Sequence, residues 1–329
     1  MEDLLKMGLC AAVGFALTAL LGLLIIPALR RAHVGASIKM DGPAWHKGKE
    51  GTPTMGGVTF ILASLAVAAA WAVWQGDFGP LAVFAFSFVF GVIGFLDDFA
   101  KLRHKENTGL SAPAKFLLQL AAAILFTVAL RYTGHLSPDL VIPFTTLSLH
   151  LPWPVYMVFA ALVMVGCVNA VNLTDGLDGL SSSVTLPVMV TFAALGVSTT
   201  NKLGFGAWAA GLFGCLVGFL IYNHHPAKVF MGDTGSLFLG GAVCGLAFAY
   251  NMPLILIFVG IIYICETLSD IIQVTYFKAT HGKRFFLMAP LHHHFEKKGW
   301  SEEKIVCIFT LVSCIGCILG FLAFGSVAR

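Results

Sequence analysis

Long apolar runs are the feature that most limits the folds open to this chain. The first extends from Leu4 to Leu29 and contains a single charged residue, Lys6. About 20 consecutive apolar residues cross the hydrocarbon core of a bilayer as one helix. Charged residues make up only 11% of the 329 residues, whereas they form about a quarter of a soluble domain. The sequence therefore predicts an all-α, polytopic membrane protein that retains its first span.

Ten runs of this kind lie along the chain, in a single predicted domain over residues 1–329. They are residues 5–29, 55–74, 80–96, 113–131, 153–171, 181–198, 205–222, 236–250, 253–277 and 304–326. Of the 20 lysines and arginines, sixteen lie in or beside the loops that follow odd-numbered spans, and four lie elsewhere. Because cytoplasmic loops carry the excess of positive charge, we expect those loops in the cytoplasm and both the N and C termini outside.

Residues 132–152 form the one sizeable loop predicted on the outer side. They are rich in Thr, Ser and Pro and contain β-branched residues. Such composition favours turns and short strands over helix. We expect a short hairpin there.

Four polar residues follow the fifth span at every third position, namely Asn169, Asn172, Asp175 and Asp178. In a helix or tight helical turn they would share one face. Helix capping and loop formation would account for one or two of them. Two amides and two carboxylates beside an apolar segment are more typical of a functional site. The pattern favours a polar-ligand or metal site.

The third span ends in two adjacent carboxylates, Asp97 and Asp98. In a helix they point about 100° apart, so they suit two neighbouring partners better than one ion held by both. Paired aspartates at a membrane edge are also typical of prenyl-diphosphate chemistry, in which carboxylates hold magnesium on phosphates. The alternative is an interface anchor paired with Lys101.

The segment from Tyr222 to Ser236 is typical of a loop that faces phosphate. Gly232 and Gly235 would let the backbone approach a ligand, and Asp233 offers an oxygen ligand for magnesium. It is not a Walker loop, because no lysine follows the second glycine. A simple turn between spans is the alternative.

Three consecutive histidines, His292, His293 and His294, follow the ninth span. Three adjacent imidazoles on a helix point in different directions, which argues against a zinc site. Four basic residues lie nearby, Lys283, Arg284, Lys297 and Lys298. Together they indicate a basic rim suited to a diphosphate or an anionic lipid. The alternative is a solvated loop that only sets topology.

All four clusters follow odd-numbered spans, so they are predicted on one face, the cytoplasmic one. Convergence at one face is what a shared site requires. The ninth span also carries a polar stripe, Glu266, Ser269, Asp270 and Gln273. A polar stripe within a span must face the protein interior, where it either lines the cleft or marks a transport route.

Five motifs carry these residues, in the order GTPTMGG (51–57), FLDDFAK (95–101), NLTDGLDGL (172–180), VFMGDTGS (229–236) and APLHHHFEKKGW (289–300). Together they resemble the phospho-N-acetylmuramoyl-pentapeptide-transferases, a bacterial branch of the polyprenyl-phosphate N-acetylhexosamine-1-phosphate transferase superfamily. The resemblance implies transfer of phospho-MurNAc-pentapeptide from UDP-MurNAc-pentapeptide to undecaprenyl phosphate, with Mg²⁺ as cofactor. It implies a multi-pass protein of the bacterial cell membrane, whose active-site cleft faces the cytoplasm. The implied partners are the two substrates, membrane lipids and a second subunit of a homodimer, with no nucleic acid.

The resemblance also implies residue roles. The implied catalytic residues are Asp97, Asp98, Asp233, His292 and His293, with Asp98 as the candidate base. The implied substrate-binding residues are Lys49, Lys115, Asn172, Asp175, Asp178, Asn223, Phe230 and His294, with Phe230 stacked on uracil. The expected magnesium ligands are Asp233 and Asp175.

Two other functions compete with this reading. A UDP-GlcNAc:undecaprenyl-phosphate GlcNAc-1-phosphate transferase would keep the reaction type, and the HHHFE motif argues against it. A secondary transporter would explain the stripe that starts at Glu266. Transporters place such residues near the bilayer midplane, often in repeated halves. The acidic clusters here lie at predicted span ends, so catalysis is favoured.

Overall fold

A computed structural model describes residues 1–32, 49, 51–104, 109–145 and 147–325. Within these ranges, nine helices are long and apolar enough to cross a membrane. They are α1 (Glu2–Arg31), α2 (Val58–Gln75), α3 (Gly79–His104), α4 (Ala112–Tyr132), α5 (Trp153–Thr174), α6 (Leu180–Ser198), α7 (Leu203–Asn223), α8 (Gly232–Ala249) and α12 (Glu302–Gly325). The prediction of an all-α, polytopic membrane protein is confirmed.

The predicted ninth span is broken into two helical parts. A 3-10 turn at Pro253–Ile255 and the short helix α9 (Leu256–Val259) precede α10 (Ile261–Ala279), and the two parts meet at an angle of 81°. The break lies at Gly260, whose amide donates to the carbonyl of Leu256 and ends α9. The span predicted over residues 253–277 is therefore a bent pair of helices. The described chain therefore has nine spanning helices, or ten if the bent pair counts as one span.

The outer loop forms the predicted hairpin. Strands β1 (Asp139–Val141) and β2 (Ser148–His150) pair in antiparallel register, with Asp139 opposite His150. At the other side of the molecule, a short helix, α11 (Leu291–Lys297), lies between α10 and α12.

Helices α7 and α8 form the centre of the bundle. In α8, 89% of an apolar stretch of 18 residues is buried inside the protein, against 28% of the corresponding stretch in α1 and in α4. Small residues recur along α8, so its neighbours approach closely. Helix α8 packs against α3 and α5. The polar residues at the ends of these three helices therefore meet.

Candidate active site

Three aspartates from two helices converge at the start of α8. Asp97 and Asp98 lie near the end of α3, Asp233 lies in the first turn of α8, and one carboxylate oxygen from each lies within 4.8 Å of the others. Asp97 and Asp98 are only 3% and 5% exposed. We call these residues the three-aspartate cluster. Carboxylate oxygens of this kind are the ligands that Mg²⁺ prefers in proteins, so the donor set fits that ion.

Asp98 caps the N-terminus of α8. Its carboxylate accepts hydrogen bonds from the backbone amides of Asp233 (3.2 Å) and Thr234 (2.9 Å) and from the Thr234 hydroxyl (2.7 Å). A helix N-terminus leaves such amides without helical partners and favours negative charge. Gly232 has φ +73°, and an added methyl group would lie 2.6 Å from Asp98 Oδ2. The residues from Gly232 to Ser236 were predicted as loop and are instead helical, because a neighbouring helix supplies their cap.

Two lysines neutralise the three-aspartate cluster. Lys101 Nζ lies 2.6 Å from Asp97, 2.9 Å from Asp233 and 3.9 Å from Asp98. Lys115 Nζ lies 2.9 Å from Asp233 and 3.7 Å from Asp97. The Lys101 ammonium group thus contacts all three carboxylates, as a bound metal cation would. The pairing of Lys101 with the adjacent aspartates, offered above as an alternative, is present within the site.

The stripe that follows the fifth span is divided among different partners. Helix α5 ends at Thr174, so Asn169 and Asn172 are helical and the two aspartates are not. Asn169 pairs with Gln119 of α4. The prediction that all four side chains share one face is therefore wrong.

Asn172 bridges to the three-aspartate cluster. Its amide nitrogen donates to Asp233 Oδ1 and to Ser236 Oγ, each at 2.8 Å. Both acceptors lie in the first turn of α8, so Asn172 fixes the orientation of the Asp233 carboxylate.

Asp175 lies between this cluster and the rest of the turn. No hydrogen bond from the described residues reaches its carboxylate. Burial raises the pKa of the Asp175 carboxyl well above its usual range, and the negative charges of Asp233, Asp98 and Asp178 add to that effect. Such a carboxylate would gain stability from a cation. Asp175 does not belong to the group of three whose ligand atoms lie within 4.8 Å of one another.

A second acidic group lies at the other end of the same turn. Asp178, His225 and Glu302 have ligand atoms within 4.8 Å of one another, and we call them the turn cluster. Lys49 Nζ bridges Asp178 at 2.7 Å and Glu302 at 2.6 Å. Asp178 Oδ2 also contacts His225 Nδ1 and accepts from the amide of Ala227, each at 3.0 Å.

These contacts change the acidity of Asp178. Burial alone would raise its pKa, but the hydrogen bonds from Lys49, the Ala227 amide and His225 together hold the pKa of this carboxyl below its usual range. Asp178 is therefore ionised and has hydrogen-bond partners, whereas no hydrogen bond from the described residues reaches the Asp175 carboxylate. Lys49, which the resemblance assigns to a phosphate, contacts two carboxylates here.

The loop between α7 and α8 is held from two sides. The Asn223 amide nitrogen donates to the Val229 carbonyl at 2.9 Å, inside the loop. The Phe230 amide donates to the Pro53 carbonyl, and the Gly56 amide donates to the Phe230 carbonyl. The GTPTMGG motif thus fixes the backbone at Phe230, and the Phe230 side chain stays partly exposed.

Each of the three histidines has a different partner. His292 contacts Glu266 of α10 at 3.0 Å, and His293 contacts Glu296 at 2.6 Å, in both cases through Nδ1. His294 Nδ1 accepts from the Leu287 amide. Partial burial, with the nearby Lys298 charge, lowers the pKa of His294. The expectation that the rings do not converge on one ion agrees with these contacts.

The polar stripe of the ninth span holds the segment that carries the histidines. Glu266 is fully buried and accepts from the His292 amide at 3.2 Å. Gln273 accepts from the amides of Phe285 and Phe286, at 3.1 and 2.8 Å. These contacts account for two polar residues within an apolar helix.

Three contributors to the site were missed or undervalued from the sequence. Glu302 lies in the first turn of the last span, where an acidic residue is expected for any helix. Lys101 was considered only as an anchor. Glu266 carried a signal, a carboxylate within a span, but its partner became known only from the folded chain.

Comparisons with known proteins agree with this geometry. A family model described as "Glycosyl transferase family 4" matches residues 80–251. A second, described as "Phospho-N-acetylmuramoyl-pentapeptide-transferase signature 1", matches residues 49–61, which contain Lys49 and GTPTMGG. A phospho-N-acetylmuramoyl-pentapeptide-transferase of Clostridium botulinum is 46% identical over 94% of both chains. One of Clostridium acetobutylicum is 46% identical over 94% of this chain and 96% of its own. One of Staphylococcus carnosus is 42% identical over 94% and 97%.

Proposed function

The chain belongs to the phospho-N-acetylmuramoyl-pentapeptide-transferase family, and we propose that it transfers phospho-MurNAc-pentapeptide from UDP-MurNAc-pentapeptide to undecaprenyl phosphate. The products are lipid I and UMP, and the reaction is the first membrane step of peptidoglycan synthesis. The observation that carries the proposal is the three-aspartate cluster with its two lysines, in which all three aspartates and Lys101 belong to the motifs that resemble the family. The runner-up, a UDP-GlcNAc transferase, would use the same cluster.

The cluster suits phosphoryl transfer because that chemistry depends on positioning and charge neutralisation more than on covalent help. Mg²⁺ would be held by Asp233 with Asp97 and Asp98, and Asp175 is the nearby carboxylate that could join them. When bound, the ion neutralises the diphosphate and polarises its oxygens. Lys115 and Lys101 would add positive charge beside the phosphates.

In the proposed reaction, an oxygen of the lipid phosphate attacks the phosphorus that bears the sugar. The bond from that phosphorus to the UMP oxygen breaks, and UMP leaves with the electron pair. A phosphate monoester has a second pKa of about 6 and is mostly dianionic at pH 7, so a strong base is not required. Asp98 already accepts three hydrogen bonds from the start of α8, which supports an anchoring role. Its role as a base stays a prediction.

The donor nucleotide would bind beside the turn from Asp175 to Asp178. Phe230 offers a partly exposed ring on a fixed backbone, which supports stacking on uracil. Asp178 and Asn223 are engaged with neighbouring groups, so we assign them to shaping the pocket. We propose that Lys49, His293 and His294 lie on the diphosphate side, and that His292, whose Nε2 faces Gly176, lies beside this turn.

The acceptor lipid requires an apolar surface next to the cluster. A cavity of about 420 Å³ lies between α5 and the bent α9–α10 pair, lined by residues such as Cys167, Ala170 and Tyr263. Ala170 precedes Asn172, the partner of Asp233, by two residues, or about 3 Å along a helix. A prenyl chain in this cavity would place its phosphate near the three-aspartate cluster.

The charge distribution of the loops supports a cytoplasmic location for the site. Sixteen of the 20 lysines and arginines lie in or beside the loops that follow odd-numbered spans, and cytoplasmic loops carry the excess of positive charge. UDP-linked sugars are soluble cytoplasmic compounds, which agrees with that orientation. We include a homodimer in the proposal on family membership alone.

The test is an assay of UMP release by purified protein in detergent, with undecaprenyl phosphate and Mg²⁺. UDP-MurNAc-pentapeptide and UDP-GlcNAc are supplied in parallel, and Asp233→Asn serves as the control. We expect release only from the pentapeptide donor, and loss of release with a chelator or in the variant. Release only from UDP-GlcNAc would support the runner-up. No release from either donor by folded protein would refute both.

A further inference from the structure

Glu266 and His292 form a buried acid–imidazole pair. Glu266 is 0% exposed and His292 is 1% exposed. Glu266 Oε2 lies 3.0 Å from His292 Nδ1, and Glu266 Oε1 accepts from the His292 backbone amide at 3.2 Å. One carboxylate thus fixes both the backbone and the ring of the same residue.

This arrangement selects a tautomer. An ionised carboxylate has only acceptors, and a neutral imidazole carries its proton on one nitrogen. With Glu266 ionised, the proton lies on Nδ1, and Nε2 keeps its lone pair. A carboxylate that orients a functional imidazole in this way is a recurrent device in enzymes.

The second ring nitrogen has a different environment. His292 Nε2 is buried and makes no hydrogen bond with the described residues. It faces Gly176, where an added methyl group would lie 2.2 Å from it. A buried polar atom without a partner is destabilising, so its retention calls for a use. Gly176 lies between Asp175 and Asp178, in the turn assigned above to the donor nucleotide.

We propose that Glu266 is a positioning residue for the transferase reaction: it holds His292 in the Nδ1-protonated form and directs Nε2, as a hydrogen-bond acceptor, at a hydroxyl or N–H group of the donor substrate. The inference rests on the proposed function and extends it to a residue within a spanning helix. Because Nε2 is buried against Gly176, Gly176 must move for substrate to reach it, and the proposal therefore couples nucleotide binding to the pair through the turn. A side chain at position 176 would collide with the ring.

The test compares two variants of the same stripe. Glu266→Gln keeps the size of the side chain, but one carbonyl oxygen replaces two carboxylate acceptors. The backbone amide and Nδ1–H of His292 then no longer each face an acceptor, so the preference for the Nδ1-protonated form is weakened. Gln273→Ala is the matched control, because Gln273 holds the same segment through Phe285 and Phe286 and does not touch the imidazole. A role limited to holding the segment would affect both variants alike.

The first readout is the ¹⁵N NMR spectrum of histidine-labelled protein, with the His292 signals assigned by their loss in His292→Gln. We expect Nδ1 protonated and Nε2 unprotonated in the original protein, a shift of the Nε2 signal on addition of UMP, and a changed protonation pattern in Glu266→Gln. A protonated Nε2 in the original protein would overturn the proposal. So would an Nε2 signal that UMP at saturating concentration leaves unmoved.

The second readout is turnover. Replacing an orienting carboxylate by its amide costs about 10⁴-fold in a serine-protease triad through the wrong tautomer, and we expect kcat to fall at least about 10-fold in Glu266→Gln, with KM for the donor nearly unchanged. Gln273→Ala should keep kcat close to that of the original protein. Equal losses in both variants, or an unchanged kcat in Glu266→Gln, would contradict the proposal. If the original protein released no UMP from any donor, the proposed function would fail, and the NMR spectrum would still decide the tautomer.

Discussion

The three-aspartate cluster and the turn cluster both combine acidic side chains with lysine, but they differ in the groups that contact those side chains. Each places three potential metal ligands within 4.8 Å of one another, and each contacts lysine. In the turn cluster, Asp178 accepts from the backbone amide of Ala227, and Glu302 accepts from the backbone amide of Asp178. In the three-aspartate cluster, Asp97 and Asp233 face each other across the ammonium groups of Lys101 and Lys115.

We interpret the three-aspartate cluster as the candidate binding site and the turn cluster as a structural contact. Backbone amides donate to carboxylates in both clusters, to Asp98 in one and to Asp178 in the other, so the difference lies in the lysines. The Lys49 side chain is 18% exposed and bridges both carboxylates of the turn cluster. The Lys101 side chain is 35% exposed and can move away when a cation or a phosphate arrives. Proximity of acidic groups alone is therefore a weak sign of a metal site. The exposure of the lysine that neutralises them, 35% for Lys101 against 18% for Lys49, distinguishes the two clusters better.

The largest expected contrast is in turnover. Asp233→Asn removes the carboxylate that faces both lysines, and we expect kcat to fall about 10³-fold, the usual order for loss of a group that stabilises the transition state. Asp178→Asn should mainly raise KM for the nucleotide donor, with kcat reduced about 10-fold or less, because it alters the turn. UMP release kinetics measure both. Equal losses of kcat would remove the distinction between the clusters.

The next contrast is in cation binding. Lys101→Met removes the ammonium group that competes for the three carboxylates, so we expect Mn²⁺, followed by electron paramagnetic resonance, to bind about 10-fold more tightly, which corresponds to about 1.4 kcal/mol. Lys49→Met is the matched variant in the turn cluster and should gain no comparable affinity. Weaker Mn²⁺ binding in Lys101→Met would show that the lysine supports the metal site instead of occupying it.

The smallest expected contrast is in how the stability of the fold depends on pH. Asp175 and Asp178, two residues of the same turn, should have opposite effects. The raised pKa of Asp175 means that the folded state binds its proton more tightly than the unfolded state does, so stability falls as pH rises above the ordinary value of 3.8. Asp178 has a lowered pKa, so its contribution is present above 3.8 and is lost as pH falls below that value.

At pH 7, Asp175→Asn should therefore raise the unfolding temperature of the ligand-free protein, and Asp178→Asn should lower it, each by about 2–4 °C. Tryptophan fluorescence during heating in detergent measures this, and the temperature for Asp175→Asn should also vary less with pH. Changes of the same sign in both variants would contradict the environments assigned to the two carboxylates.

The sequence was sufficient for the apolar spans and the hairpin, and it singled out the three aspartates that the fold brings together. Apolar length is a local property, so the helices were predicted nearly to their ends. The bend at Gly260 depends on how α9 and α10 pack, and the helical start of α8 depends on a cap supplied by Asp98, 135 residues earlier. Partners of this kind are set by tertiary contacts, which periodicity does not encode.

The same limit applies to individual side chains. Glu266 and Asn169 were both conspicuous as polar residues near apolar runs, yet one proved to hold His292 and the other to pair with Gln119. Lys49 was assigned to a phosphate through its motif, and the fold places it between Asp178 and Glu302.

The link between Lys49 and Glu302 also sets an order of assembly for the newly made chain. Residues 253 positions apart leave a ribosome roughly 13–50 s apart at ordinary rates of synthesis. Until the last helix has been made, the turn cluster lacks Glu302, and Lys49 has only Asp178 as a partner. A nascent chain therefore completes the turn cluster only after the start of α12 has been made. Under the proposed function, donor binding beside this turn would await that step.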